Sequence, residues 1–192
     1  QQAEEGFAST QSGFTAAQSY SSPRGKEEIV CALTETDLKF GFREINEIHA
    51  IIEAAGHSDF SRLKESLSRE TPTEGLKNAI QKILSTDADT IRSITSSVLS
   101  SDMSSTVINE RETKYFTSLV ETYPDDPGLL LFLLMNFVTL EPGDFLYVSP
   151  GVTHAYLRGN VVEITSNSDN VIRCGLTPKH VNAHEFLSIA SF

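Results

Sequence analysis

Residues able to do chemistry are concentrated between positions 152 and 179, where histidine, carboxylate, arginine and lysine side chains alternate with apolar residues. The turn SPGVT precedes His154, so this histidine opens a new strand and its imidazole can reach the mouth of a small β-barrel. Histidine nitrogen and carboxylate oxygen are typical ligands of zinc. The pattern alone leaves two interpretations open, a metal site at His154 or a histidine that is hydrogen-bonded at a strand start.

Two charged residues of this stretch have apolar neighbours on both sides: Glu163 in VVEIT and Arg173 in VIRC. A charge in such a run is costly unless it is paired, metal-bound or neutral. The two side chains could form a buried structural ion pair, or they could line one polar cavity with Tyr156, which shares a strand face with His154. Lys179 follows a Gly-Leu-Thr-Pro turn and would lie at the rim, where arginine and lysine together suit a phosphorylated ligand.

Short strands separated by turn residues are expected to position these side chains. Residues 28–34 (EIVCALT) are typical of a buried strand, and five more strands are predicted after Tyr123, at 137–140, 145–148, 154–157, 161–165 and 171–174. The breaks between them, EPGD, SPGVT, RGN and SNSDN, are short and evenly spaced. This spacing predicts a small β-barrel or sandwich.

Helical periodicity dominates the middle of the chain. One apolar face predicts a helix over 44–57 that ends near Gly56, and four further apolar stripes lie between 59 and 123. We therefore predict a mixed, mainly β fold in which a helical domain at 44–123 is inserted into a core made of residues 1–43 and 124–192. The stripes could also belong to a helical interaction module, although such stripes are more often core.

Composition argues against several classes of function. The chain has 192 residues and a formal net charge of −11, which disfavours nucleic-acid binding because phosphate backbones would be repelled. Its longest apolar stretch, residues 129–135, is too short to span a membrane. Cys31 and Cys174 lie in apolar runs and are expected to be free thiols, which fits a reducing compartment such as the cytoplasm.

Several segments resemble the motifs of one enzyme family. THAYLRGNVVEITSNSDNVIRCGLTPK resembles the signature of type I mannose-6-phosphate isomerases, which reads roughly PHAYLxGxxxExMxxSDNVxRxGLTPK. YPDDPGLLLFLLMNFVTLEPGDFLYV resembles the segment before that signature, and KEEIVCALTETDLKFGFREINEI resembles the family's KPExxxALTPFxxxxGFRxxxEI. EEGFA is similar to a loop of the enterobacterial-type members. The likeness covers most of the chain and matches the helical block only loosely.

The resemblance implies a zinc enzyme with a cupin core, which is a double-stranded β-helix barrel, and an inserted helical domain. Such enzymes interconvert mannose 6-phosphate and fructose 6-phosphate, so a sugar phosphate is the expected partner of a monomeric, cytoplasmic protein. Family members hold zinc with a Gln-x-His pair, the glutamate of KPE and the histidine of PHAYL. Carried over, the resemblance implies Glu28 and His154 as metal ligands, Arg173, Glu163 and Asp169 as catalytic residues, and Lys179 and Tyr156 as substrate contacts.

The sequence also departs from the family pattern. Glu27 replaces the proline of KPE, and Thr153 replaces the proline before the histidine. No Gln-x-His-Pro motif is found, and the EEGFA match would place it before Gln1. We therefore expect a central fragment of a longer isomerase, lacking the N-terminal part and the C-terminal β-domain. The alternative is a truncated cupin remnant that binds sugar phosphate without turnover.

Overall fold

The computed structural model describes residues 2–11, 20–69, 71–103 and 106–192. The chain divides into two compact units, and each is built around one of the two hydrophobic periods of the sequence. The β unit comprises residues 1–40, 138–173 and 184–191, and the helical unit comprises residues 41–137, 174–183 and 192.

Among the described residues, a helix and two strands precede a block of seven helices, which four strands and a final helix follow. In chain order these elements are α1 (Gln2–Gln11), β1 (Glu28–Ala32), β2 (Thr36–Phe42), α2 (Ile45–Ala55), α3 (Ser58–Ser61), α4 (Leu63–Arg69), α5 (Pro72–Leu84), α6 (Ala88–Ser100), α7 (Glu110–Thr122), α8 (Gly128–Leu134), β3 (Met135–Leu140), β4 (Phe145–Val148), β5 (His154–Arg158), β6 (Val161–Thr165) and α9 (Ala183–Ile189). No helix in these ranges is long and apolar enough to cross a membrane.

The strands form two three-stranded sheets, with the orders β4-β1-β6 and β3-β2-β5. In the first sheet β1 pairs antiparallel with both neighbours, so that Val30 lies opposite Leu146 on one side and Glu163 on the other. In the second sheet β2 pairs antiparallel with β5, and Phe40 lies opposite His154. The mixed fold class is thereby confirmed, while the described strands form two separate sheets and the barrel stays a prediction.

The alternation of side chains along β1 places the carboxylate of Glu28 in an apolar interior. Val30 and Ala32 are buried, and Ala32 packs with Leu38 and Leu140 in a small core of the β unit. Glu28 has the same phase as these two residues, and it is buried as well. Residues of the opposite phase form an exposed apolar face in register across the sheet: Ile29, Phe145, Tyr147, Val162 and Ile164.

Most of the predicted elements are confirmed. One predicted strand is wrong, and one strand was missed. The strand predicted at 171–174 is wrong, because residues 166–170 leave the ladder and form a loop held by side-chain hydrogen bonds to residues 21–27. The strand β2 was not predicted, because its alternate residues Asp37 and Lys39 are charged but buried. Residues 36–39 are all buried, so the charged phase of β2 faces protein as well and does not mark an outer strand face.

A buried ion pair lies at the centre of the helical unit. Nη2 of Arg43 donates to both carboxylate oxygens of Glu112, at 2.7 and 2.8 Å, and its Nε donates to the carbonyl oxygen of Leu133 at 3.2 Å. The two side chains are only 5% and 0% exposed. Because both charges have left water, each stabilises the other, and the pair locks the segment after β2 against α7 and α8.

Replacing Arg43 with methionine should lower the free energy of unfolding by about 3–5 kcal/mol, because the buried carboxylate of Glu112 would lose the cation that both its oxygens bind. The double variant Arg43→Met, Glu112→Leu should recover most of this loss, since neither charge is then left. Urea unfolding followed by circular dichroism measures both. Lys114→Ala breaks the exposed pair with Glu110 and is the control, with an unchanged midpoint. Equal losses in the single and double Arg43 variants would contradict the assignment.

Asp126 fixes the turn that carries Lys179 within the helical unit. Its Oδ1 accepts from the backbone N–H of Gly128 at 2.7 Å, and its Oδ2 accepts from that of Leu176 at 2.8 Å. Leu176 has a φ of +53°, a conformation that a leucine rarely adopts without such support. Burial, and then the charge of Asp126, raises the pKa of the neighbouring Cys174 thiol to about 11.

We expect Cys174 to react slowly with a disulfide reagent such as DTNB at pH 8, because a thiol with a pKa of about 11 is only about 0.1% thiolate there. The rate should rise about tenfold per pH unit between pH 8 and 10 as the thiolate forms. Asp126→Asn should speed the reaction, since a nearby negative charge opposes ionisation. A Cys31→Ser background isolates the signal, and a rate that does not change with pH would show that the thiol is not protected in this way.

Candidate active site

Glu28 and His154 face each other in the β unit. Oε2 of Glu28 lies 3.2 Å from Nε2 of His154, and the two side chains are 6% and 25% exposed. Nδ1 of His154 is 3.0 Å from the carbonyl oxygen of Val152, which can only accept, so in a neutral ring Nδ1 carries the proton and Nε2 is bare. Among the described residues, Oε2 of Glu28 is buried without a hydrogen bond.

Two acceptors that face each other in this way are stable only with a positive charge between them or on one of them. Two ligands that are each about 2.0–2.2 Å from a tetrahedral zinc ion lie roughly 3.3–3.5 Å apart, which is close to the observed separation. The donor types and their spacing therefore fit a metal. Within the described ranges no group of three or more His, Cys, Asp or Glu side chains could hold an ion, so this part of the chain offers two ligands at this point.

Lys26 belongs to a group of five side chains that we call the cluster, together with Glu28, His154, Tyr156 and Glu163. The sequence suggested no role for Lys26. Its Nζ is 2.7 Å from Oε1 of Glu28 and 3.8 Å from Oε1 of Glu163. Burial lowers the pKa of Lys26, but the hydrogen bond with Glu28 and the charges of Glu28, Glu163 and Asp169 outweigh it and raise the pKa overall. The spacing could have indicated this role, because residues 26 and 28 lie on the same face of an extended chain.

Tyr156 and Glu163 form the second contact of the cluster. The hydroxyl of Tyr156 donates to Oε2 of Glu163 at 3.1 Å, and burial followed by this carboxylate raises the pKa of the tyrosine. The rings of Tyr156 and His154 are 5.9 Å apart, which agrees with their predicted place on one strand face. Glu163 thus contacts Tyr156 and Lys26, and the buried ion pair with Arg173 that the sequence left open does not form.

The other three candidate residues have different surroundings. Arg173 is half-buried in the β unit and makes no ion pair or hydrogen bond with any described residue. Asp169 is exposed, and its charge acts on Lys26. Lys179 is exposed in the helical unit, where its backbone N–H donates to the hydroxyl of Thr177 at 3.2 Å. The roles that the resemblance implies for these three residues stay predictions.

The two departures from the family motifs have local consequences. The carboxylate of Glu27 accepts from the hydroxyl of Tyr147 at 3.0 Å, on the opposite strand phase from Glu28. The hydroxyl of Thr153 is buried and has no hydrogen-bond partner in the described part of the chain. Neither substitution removes a contact from the cluster.

No protein-family model matches the chain, but curated proteins and solved structures do. It is 32% identical to mannose-6-phosphate isomerase from Escherichia coli strain K12 over 179 residues, which are 92% of this chain and 44% of that protein. It is 29% identical to mannose-6-phosphate isomerase 1 from Arabidopsis thaliana, over 90% of this chain and 43% of that protein.

The solved structures give the same result. A zinc-bound mannose 6-phosphate isomerase matches with a TM-score of 0.81 and 29% identity over 98% of this chain and 48% of the other. A variant of phosphomannose isomerase from Salmonella typhimurium matches with a TM-score of 0.82 and 28% identity over the same shares. The chain thus spans about half the length of the proteins it matches. By sequence and by fold, this chain is homologous to the mannose-6-phosphate isomerases.

Proposed function

We propose that this chain carries part of the active site of a zinc-dependent mannose-6-phosphate isomerase. The observation that carries the proposal is the buried, unbonded carboxylate oxygen of Glu28 opposite the bare nitrogen of His154, in a chain homologous to such enzymes. The fold that goes with it is a cupin barrel with an inserted helical domain at 44–123, flanked by core segments at 1–43 and 124–192. We also propose that the protein is a monomer and lies in the cytoplasm.

Glu28 and His154 would hold the zinc ion, together with the Gln-x-His pair that the resemblance implies. Bound zinc polarises and positions sugar oxygens, acting as a Lewis acid. Lys26 binds the other oxygen of Glu28 and so keeps Oε2 turned towards His154. Such an outer contact fixes the orientation of a ligand and supports metal affinity.

The isomerisation moves one proton between C2 and C1 of the open-chain sugar through an enediol. In the proposed reaction a carboxylate, Glu163 or Asp169, removes the proton from C2 of mannose 6-phosphate and returns it to C1, while the hydroxyl proton of O2 is lost and O1 gains one. The guanidinium of Arg173 stabilises the negative charge that develops on oxygen. Tyr156 contacts the sugar, and Lys179 binds the phosphate.

Zinc uptake tests the metal site. We expect the longest natural protein that contains this segment to bind about one zinc ion, measured by competition with a chromophoric chelator, and Glu28→Gln or His154→Ala to weaken binding by about 100-fold or more, because one zinc ligand is lost. Glu27→Gln removes the same charge one residue away on the opposite strand phase, and it serves as the control with unchanged affinity. Equal affinities in Glu28→Gln and in the wild type would contradict the site.

Turnover tests the reaction, in the longest natural protein that contains this segment. We expect Arg173→Ala to lower kcat for mannose 6-phosphate by about 10²–10³-fold, because it removes a charge that acts in the transition state. Lys179→Ala should chiefly raise KM. Arg158→Ala, which removes an exposed arginine of β5, is the control with unchanged kinetics. Binding of zinc and sugar phosphate without any turnover would instead support the remnant hypothesis.

A further inference from the structure

Apart from one backbone hydrogen bond, in which the N–H of Ser166 donates to the carbonyl oxygen of Glu27 at 2.9 Å, side chains hold the segment before β1 to the segment after β6. The regular pairing of β1 and β6 ends with Glu28 opposite Thr165. Beyond it, residues 21–27 run beside residues 166–170 and include Pro23, which has no N–H to donate. Every second residue of the partner segment, Ser166, Ser168 and Asn170, turns its side chain towards the backbone of residues 21–27; we call this contact the polar zipper.

The side chain of Asn170 makes more hydrogen bonds than any other side chain of the polar zipper. Its Oδ1 accepts from the backbone N–H groups of Ser21 at 2.8 Å and Ser22 at 3.0 Å. Its Nδ2 donates to the carbonyl oxygens of Ser22 at 2.8 Å and Arg24 at 2.9 Å. Two acceptor and two donor positions are thus filled, which is the full capacity of an amide. A carboxylate in its place could accept but not donate.

The two serines continue the polar zipper towards β1. The hydroxyl of Ser168 donates to the carbonyl oxygen of Arg24 at 2.8 Å. The hydroxyl of Ser166 donates to the carbonyl oxygen of Gly25 at 3.3 Å and accepts from the N–H of Glu27 at 3.0 Å. Together with Asn170, these bonds fix the backbone on both sides of Lys26.

Lys26 is the only residue of segment 21–27 that contacts the carboxylate of Glu28 among the described contacts. Its bond to Oε1 leaves Oε2 facing His154. We propose that Asn170 is a positioning residue for the metal site: through the polar zipper it fixes Lys26, and Lys26 in turn orients the Glu28 carboxylate towards His154. This inference rests on the proposed metal site and adds a residue that touches neither metal nor substrate.

Hydrogen exchange followed by NMR tests the polar zipper itself, with Asn170→Asp as the variant. This change keeps the size and the Oδ1 acceptor, but it turns both donors into an acceptor that faces two carbonyl groups. We expect the amide protons of Ser21 and Ser22 to exchange at least about tenfold faster, since local opening becomes easier. Asn167→Asp is the matched control, because Asn167 is exposed in the same loop and the variant adds the same charge.

Zinc affinity tests the positioning role, again by competition with a chelator. Asn170→Asp should weaken zinc binding about tenfold, as losses of outer contacts do, and Lys26→Met should have a similar effect. If Asn170 acts through Lys26, the double variant Asn170→Asp, Lys26→Met should bind no more than about twofold weaker than Lys26→Met alone. Independent effects would instead multiply to about 100-fold. Asn167→Asp should leave affinity unchanged.

Four results would overturn the proposal. Unchanged exchange in Asn170→Asp would show that the polar zipper does not hold the segment. Faster exchange with unchanged zinc affinity, or with effects that multiply in the double variant, would reduce Asn170 to a structural residue. If the longest natural protein that contains this segment takes up no zinc, the metal site of the proposed function and the positioning role are both wrong, and the exchange data would still show whether the polar zipper exists.

Discussion

The burial of one carboxylate, that of Glu28, is the constraint on which the β unit depends. Strand period sends this side chain to the same face as Val30 and Ala32, where an ion without partners is costly. Lys26 satisfies one of its oxygens. The other oxygen meets an imidazole nitrogen instead of a donor, so the geometry leaves a place for a cation that Lys26 does not fill.

The helical unit also buries a carboxylate, that of Glu112, but there both carboxylate oxygens bind a cation. There the guanidinium of Arg43 binds both oxygens of Glu112 and a backbone carbonyl, and the carboxylate is fully enclosed. Such a closed pair holds the protein together and offers no oxygen to a ligand. Glu28 keeps one oxygen without a hydrogen bond, and this difference separates a carboxylate with a structural role from one that can bind a metal.

The sequence predicted the parts of this site that depend on local pattern and missed those that depend on long-range contacts. Turn residues and alternation placed His154 and Tyr156 on one face of β5, and apolar phase placed β1. Glu28 was found only through the resemblance to a family. Lys26 was missed because a lysine before a strand is normally a solvated residue, and only the fold brings Glu163 beside it.

The two errors in strand prediction have the same kind of physical cause, which is a contact between residues far apart in sequence. Residues 171–174 have the composition of a strand, but the loop before them is tied to residues 21–27, about 145 positions away in sequence, so no partner strand is within reach. In β2 the buried Asp37 binds the hydroxyl of Thr139 across the sheet. A sequence pattern cannot show that a charged residue has such a partner, and so it assigns that residue to the surface.

Charge affects how easily a sugar phosphate can approach the proposed site. Lys26 lies in the field of three carboxylates, Glu28, Glu163 and Asp169, so these four groups together carry a charge of −2. On a chain with a net charge of −11 these groups repel a sugar phosphate. A divalent cation beside Glu28 brings their total charge to zero, which removes the repulsion without creating an attraction. The phosphate must then be attracted by a cation outside these four groups, which is the role proposed for Lys179, and a bound metal would ease the approach of the substrate.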